Sequence, residues 1–417
     1  MARKLKKPIK ILTIDTETYN GLIGGLKRIA VYDGKTVTYG YKYVDIEPVL
    51  LSYEEQGFDV HIYIHNLEFD ARKLPELFDK KRIDWKGSLC INGKLATIKC
   101  KHYTIHDSFK LLPLSLKKLS KGFNVEHGKL DLWEEVQKTY TDQYKDIVDF
   151  LDRCHEDDEL YLKYLGYDVQ SLYEVIYNLI AIAGLSEHDF VGRISTASLS
   201  RFMFKNGYKG KQFKGEFSTL TDYEMMCSYK WFYDLETEEF IREAYCGGRT
   251  EVFKPRLEVQ GFHYDVNSLY PFVMSKDLEN PLEDAQYPIG KPEYTGSGKV
   301  AENVYRKWQK MKNGLGFINC KVFIPEQPIP PLPVKMGKLT FPCGEVVGTW
   351  TYEELDYAEK ECGVEIREFY AGVHFKQTYP VFARFVTEFY KLKEKGGIEK
   401  NEPLRTLAKV ILNVGYG

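Results

Sequence analysis

Apolar and polar positions alternate in short runs at the start of the chain and settle into a helical period further on. Ile9 to Ile14 is a short β-rich run that reads as a buried strand, and Arg28 to Tyr41, with Asp33-Gly34 at its middle, reads as a hairpin. Asp59 to Ile64 alternates as a further strand. Between Asp158 and Ile182, Leu, Tyr, Val and Ile recur at helical spacing, so residues 1–185 are expected to form one α/β domain. Residues 186–243 read as a mixed, mainly helical connection, and 244–417 as a second domain. Within it Gly261 to Val273 is strand-like and leads into a turn or helix at Tyr270-Pro271. Pro325 to Pro333 and Gly344 to Gly348 interrupt the next region. Two helices, Pro380 to Lys395 and Leu404 to Leu412, flank a break at Gly396-Gly397, with Pro380 at a first helical position, where its missing N–H costs nothing. There is no internal repeat.

Composition narrows the class. The chain has 417 residues, 43% hydrophobic and 28% charged, which is globular and excludes disorder and collagen; at about 150 residues per domain it suggests two or three domains. Lys+Arg 58 against Asp+Glu 60 leaves a net charge of -2, so no basic excess announces a nucleic-acid partner. The 31 Tyr and 24 Phe suit large cores, and equally the surfaces on which single-stranded nucleic acid stacks. Eight scattered cysteines without a CxxC pair fit free thiols in a reducing cytoplasm rather than a structural zinc. The basic arm MARKLKKPIK is followed by acids where a signal peptide needs apolar residues, and no run nears the ~20 apolar residues of a membrane span, so a cytoplasmic protein with no membrane partner is expected.

The chemistry concentrates in acids. Asp15-Thr16-Glu17 ends the first strand, and residues i and i+2 of a strand point the same way, so both carboxylates face one site. Acid-x-acid triplets also end many solvated strands, and the triplet alone leaves both readings open. His65-Asn66-Leu67-Glu68-Phe69-Asp70 follows another strand and adds a third acid; on the long helix Tyr164 and Asp168 are spaced i, i+4 and share a face. Four carboxylates can hold two divalent metals, one activating a water and the other stabilising the leaving 3′-oxygen of a phosphodiester.

With TIDTET, HNLEFD and YLGYD in this order, the sequence resembles the proofreading 3′→5′ exonuclease domain of family B DNA polymerases. The resemblance implies an RNase H-like α/β fold for residues 1–185, with Asp15, Glu17, Asp70 and Asp168 as ligands of two Mg²⁺ or Mn²⁺ and Tyr164 orienting the attacking water. It also implies that Thr18, His65, Asn66, Phe69 and the Asp107-Ser108-Phe109 segment contact a frayed primer end, where Phe69 and Phe109 offer stacking faces. Lys110, Lys117, Lys118, Lys121 and Lys129 read as a phosphate track or as a solvated face. His127 and Lys129 are both open for the role of a lysine that assists proofreading.

A second set of motifs follows. In Tyr264-Asp265-Val266-Asn267-Ser268-Leu269-Tyr270-Pro271, an Asp ending a strand can bind the metal of an incoming triphosphate, and a tyrosine five residues on can pack under the sugar. DVNSLYP resembles the first polymerase motif of family B. This implies Asp265 as a metal ligand, the Val266 carbonyl completing the shell, and Tyr270 blocking a ribose 2′-hydroxyl. Tyr245-Cys246-Gly247-Gly248 resembles the YxGG loop, in which Tyr245, Gly247 and Gly248 would touch single-stranded template; two glycines equally suit an interdomain turn. PLPVKMGKLTFPCGEVVGTWTYEEL resembles the palm and insertion of the protein-primed branch, found in bacteriophages, adenoviruses and linear plasmids. Lys409 and Asn413, one helical turn apart, resemble the Kx₃NSxYG motif and would face the triphosphate, with Tyr416 near the nascent base pair. Val414 and Gly415 depart from that pattern.

The expected architecture is therefore an exonuclease domain followed by an incomplete, α+β polymerase palm with an insertion, because the family's third motif, YxDTD, would lie beyond Gly417. The expected function is that of a protein-primed family B DNA polymerase, a nucleotidyltransferase and 3′→5′ exodeoxyribonuclease. Its expected partners are primer-template DNA, deoxynucleoside triphosphates and a terminal priming protein, in the host cytoplasm if the source is viral; the missing motif and thumb read either as an incomplete or interrupted gene or as a natural split in which a second polypeptide supplies them. These residues alone are expected to hydrolyse but not extend. A non-catalytic DNA-binding subunit, or a dedicated exonuclease with a vestigial palm, are the alternatives.

Overall fold

The first apolar run forms β1 (Ile9–Thr18) in the computed structural model. The structure describes residues 6–414 apart from 20–23, 80, 82–83, 85, 129–130, 142, 207–221, 223–225, 228–234, 255, 257–259, 267 and 277–281. The hairpin follows as β2 (Leu26–Tyr32) and β3 (Val37–Gly40). It turns at Asp33-Gly34, where the glycine takes φ 90 and the Asp33 carboxylate accepts from the Lys35 and Thr36 amides at 2.8 Å each. Then come α1 (Tyr43–Glu55), β4 (Asp59–Ile64), α2 (Leu67–Ala71), β5 (Leu89–Ile91), β6 (Lys94–Lys99) and β7 (Tyr103–Asp107). Helices α3 (Ser108–Leu111), α4 (Leu116–Gly122), α5 (Leu132–Thr139), α6 (Ile147–Arg153), α7 (Glu159–Ile182), α8 (Glu187–Val191) and α9 (Thr196–Asn206) complete this stretch.

These strands make one seven-stranded sheet in the order β3-β2-β1-β4-β7-β6-β5, with β4 parallel to both β1 and β7 and the other neighbours antiparallel. One face carries Leu12, Ile14, Ile29, Val31, Ile62 and Ile64 and buries them with Tyr43, Ile46 and Leu50 of α1. The other face is covered by α7, whose Leu165 and Val169 pack on Ala30. Helix α7 starts where Asp158 accepts from the Leu160 and Tyr161 amides, and it is tied to the sheet by the Thr13 hydroxyl donating to the Val169 carbonyl at 2.7 Å.

A second unit, Glu216–Thr387, contains α10 (Leu235–Ala244), α11 (Leu269–Ser275), β8 (Tyr287–Ile289), β9 (Glu293–Ser297), α12 (Lys299–Met311), β10 (Leu315–Ile324), β11 (Val334–Met336), β12 (Lys338–Thr340), β13 (Gly344–Thr351), α13 (Tyr352–Glu361), β14 (Glu365–Phe375) and β15 (Gln377–Tyr379). Its antiparallel sheet, β13-β10-β14-β9, buries Ile318, Cys320, Val322 and Trp350 with Tyr305 and Trp308 of α12 and Leu355 of α13. Helix α14 (Ala383–Ile398) then leads to α15 (Glu402–Val414), and Glu388–Gly417 belongs with Met1–Gly215 in the first unit. The second of the expected domains, 244–417, thus gives up its C-terminal helices. Leu407, Ala408, Ile411 and Leu412 bury the apolar face of α15 there, on α4, α7 and α9.

Four local expectations are corrected. Residues 261–266 form no strand: Phe262 is 90% and Tyr264 86% exposed, and among the described residues no strand pairs with them. Gly344 to Gly348 do not interrupt the chain but lie inside β13, with Gly348 opposite Cys320 of β10. The Gly396-Gly397 pair lies inside α14, not at a break. A Cβ on Gly396 would stand 2.6 Å from the Arg405 amide, so the glycine lets the last turn of α14 close on the first of α15. The reversal falls at Lys400, with φ 53, and Asn401, whose side chain accepts from the Leu404 amide. Helix α14 begins at Ala383, so Pro380 precedes the helix instead of opening it.

No described helix is long and apolar enough to cross a membrane, and no disulfide joins the eight cysteines.

Candidate active sites

Alternation along β1 puts Asp15 and Glu17, both half-buried, on the face covered by α7. The Thr13–Val169 bond sets the height of the helix on the strand, and Asp168, 3% exposed, meets them from α7. One ligand atom from each of Asp15, Glu17 and Asp168 lies within 4.8 Å of the others, close enough for three carboxylates to share one divalent cation. Their mutual repulsion in a partly buried place is a cost that such a cation offsets. Tyr164 lies one turn before Asp168 on the same face and is buried beside the Leu132, Val136, Phe150 cluster.

Asp70 lies outside that set of three. It sits on α2, 2% exposed, and accepts from the Thr16 hydroxyl at 2.5 Å. Burial raises its carboxyl to about 7; the Thr16 hydroxyl pulls it back and the Asp107 carboxylate adds to the rise. Thr16 is the functional side chain that the reading from sequence passed over, and its signal was a hydroxyl standing between two acids.

The residues named for primer contact divide into surface and support. Asn66 is exposed, in the left-handed region at φ 71, and its amide donates to Asp107 at 3.0 Å. The same Asp107 oxygen accepts from the Phe109 amide at 3.0 Å, so one carboxylate holds the two loops that follow β4 and β7. Burial raises the Asp107 carboxyl, and these backbone bonds oppose the rise. His65 bonds Ser108 at 3.1 Å and the Leu114 carbonyl at 2.9 Å and meets the Phe109 ring edge-on at 5.5 Å. Ser108 and Thr18 are buried, Phe69 is half-buried and Phe109 is exposed. Lys117, Lys118 and Lys121 are exposed, whereas Lys129 lies outside the described residues. His127 is fastened to α7: its ring bonds the Glu174 carboxylate, and its carbonyl accepts from the Ser171 hydroxyl.

In the second unit Asp265 and Val266 are exposed, and Tyr270, half exposed, stands on α11. Gly248 reaches this helix: a Cβ there would stand 3.1 Å from the Tyr270 hydroxyl, so the Tyr245–Gly248 loop and the DVNSLYP segment meet. Tyr245 is 76% exposed and Gly247 has open space around it. The loop is tied to the Pro-rich segment by Arg249, which donates to the Pro330 carbonyl at 2.9 Å and lies 4.4 Å over the Phe341 ring. In the first unit Lys409 and Asn413 share the exposed side of α15, while Tyr416 and Gly415, like Asn267, lie outside the described residues.

The model of the family "DNA polymerase type B, organellar and viral" matches residues 57–417. The DNA polymerase of Bacillus phage phi29 is 24% identical over 393 residues, covering 85% of this chain, which spans 58% of that protein. A probable DNA polymerase of Podospora anserina is 28% identical over 331 residues, covering 74% of this chain and 24% of its own length. The fold is shared with the solved phi29 DNA polymerase in complex with primer-template DNA and incoming nucleotides, at a TM-score of 0.67 and 20% identity, over 98% of this chain and 68% of that one. The same polymerase with single-stranded DNA gives a TM-score of 0.64. With most of its length inside the family's pattern, this chain belongs to the organellar and viral type B DNA polymerases.

Proposed function

We propose that the first unit is an RNase H-like 3′→5′ exonuclease and that the second carries part of a polymerase palm with an insertion, in a protein-primed DNA polymerase. The observation that carries this reading is the meeting of Asp15, Glu17 and Asp168 within 4.8 Å, on residues that the sequence keeps 151 positions apart (168 less 17). The donor set, three carboxylate oxygens, fits Mg²⁺ or Mn²⁺. Two such ions, when bound, supply an activated water and a stabilised leaving 3′-oxygen. Asp15, Glu17 and Asp168 hold one cation, and Asp70 of α2 is the carboxylate proposed for the second. Tyr164 orients the water, and Phe69, Phe109 and Asn66 receive the unpaired 3′ end by stacking and hydrogen bonding.

For nucleotide addition, Asp265 and the Val266 carbonyl bind the metal of a deoxynucleoside triphosphate, and Tyr270 packs under its sugar. Gly247, Gly248 and Tyr245 touch template. The partners proposed are primer-template DNA and a terminal priming protein. As the chain spans 58% of the phi29 polymerase, synthesis is proposed for the whole protein and the nuclease step for these residues.

A 5′-labelled primer-template incubated with Mg²⁺, with and without nucleotides, tests this. Laddered shortening from the 3′ end is expected, and it should vanish in the Asp15→Ala, Glu17→Ala double variant. Binding of DNA with no shortening would replace the proposal with a non-catalytic DNA-binding subunit.

A further inference from the structure

The chain buries a lysine on the strand that pairs with β1. Lys27, 2% exposed, lies on β2 where the ladder with β1 slips: Glu17 faces Arg28 and Thr18 faces Leu26, so Lys27 is the extra residue of a bulge beside Glu17. The bulge aims its side chain under α7. Its ammonium donates to the Leu151 carbonyl at 2.5 Å and the Cys154 carbonyl at 2.9 Å, closing the end of α6, and lies 4.6 Å over the Tyr161 ring. A lysine is almost never fully buried without such partners, and here the two carbonyls fix the turn that leads to α7 while the ammonium seats the Tyr161 ring.

Tyr161 stands two turns before Asp168 on the same side of α7. Helix and strand run in opposite directions, since Val169 meets Thr13 while Asp168 meets Asp15 and Glu17. Moving from Asp168 toward Tyr161 therefore moves along β1 toward Glu17 and beyond. The Tyr161 ring is fully buried, and its hydroxyl has no hydrogen-bond partner among the described residues. A buried hydroxyl left unbonded costs about 1–3 kcal/mol. Burial holds this phenol far above its ordinary range, and the Glu17 carboxylate is the next contribution.

We propose that Tyr161, seated by Lys27, is a positioning residue for Glu17, its hydroxyl donating to the Glu17 carboxylate when that carboxylate turns onto a divalent cation. Carboxylate ligands are commonly fixed by such a donor, and the donor's loss weakens metal binding. The inference rests on the reading of Asp15, Glu17 and Asp168 as cation ligands.

Mn²⁺ titration of the full chain, with free Mn²⁺ followed by electron paramagnetic resonance, tests it on the wild type, Glu17→Gln and Tyr161→Phe. Thermal unfolding in EDTA is measured alongside. The phenylalanine variant keeps the ring over Lys27 and removes one oxygen. Its expected behaviour is Mn²⁺ binding weakened roughly tenfold with unchanged unfolding in EDTA. Equal affinity in wild type and Tyr161→Phe would overturn the inference alone. So would a loss of affinity matched by a lower unfolding temperature in EDTA, which would make the hydroxyl structural. A wild type with no saturable Mn²⁺ site sensitive to Glu17→Gln would sink the cation reading, and the inference with it.

Discussion

The Thr16 hydroxyl donates to the Asp70 carboxylate at 2.5 Å from the face of β1 opposite the one that bears Asp15 and Glu17. One strand thus addresses acids on both of its sides. Thr16→Val, which keeps the shape and removes the donor, should cost about 1–3 kcal/mol of stability in urea unfolding, and Thr16→Ser much less. Equal midpoints for wild type and Thr16→Val would show that the bond contributes nothing.

Asp70 should make stability fall with rising pH. Its carboxyl stays protonated in the fold up to about 7, against an ordinary value of 3.8, so between those values the unfolded chain has released a proton that the folded chain still holds. In divalent-free buffer the loss should begin near pH 3.8 and be complete by about pH 7, and Asp70→Asn should abolish it. The comparison needs only chemical unfolding at a series of pH values; a variant with the wild-type slope contradicts it.

His106 acts in the opposite sense. Its ring pairs with His61 at 2.8 Å on neighbouring strands, stacks on Tyr63, and is lowered by burial from 6.5 to about 3, with His61 adding to the fall. Between those values the unfolded chain binds a proton that the folded chain refuses, so this contribution is present above pH 6.5 and is lost as pH falls toward 3. His106→Phe, which preserves the stack, should flatten that limb of the stability curve. If the limb persists in the variant, another group causes it.

Gly348 is a packing glycine. A Cβ there would stand 2.5 Å from the ring of Trp350, which is 1% exposed and held by its indole N–H donating to the Pro333 carbonyl at 2.9 Å. Gly348→Ala should lower stability by about 1–3 kcal/mol, as overpacking does in a filled core, and differential scanning calorimetry would register it. A neutral result would mean that Trp350 can turn aside.

Much of this was legible in the chain. Ile9–Ile14, the Asp33-Gly34 hairpin and the long Asp158–Ile182 period each announce an element whose pattern matches its burial, with Asp15 and Glu17 toward the end of the first and Asp168 inside the last. The 4.8 Å meeting of Asp15, Glu17 and Asp168 follows from strand alternation plus one helix laid across it. What stayed hidden depends on distant neighbours. Nothing around Gly396 tells that Arg405 closes on it, or around Gly348 that Trp350 fills the space a side chain would need. Residues 261–266 alternate like a strand, but alternation predicts a half-covered surface and no covering exists among the described residues. Thr16 stands in view between two acids, but its partner does not, since Asp70 is 54 positions away.

The first unit is assembled from two stretches of chain, Met1–Gly215 and Glu388–Gly417. Helix α9 buries Leu199 and Met203 and packs on α15, and the Ser200 hydroxyl donates to the Ile411 carbonyl, 211 positions later. On the ribosome, α9 therefore emerges long before the helix that covers it. Until α15 is synthesised, the nascent chain carries the apolar face of α9 uncovered, and the first unit acquires its full cooperativity only after the second has been translated.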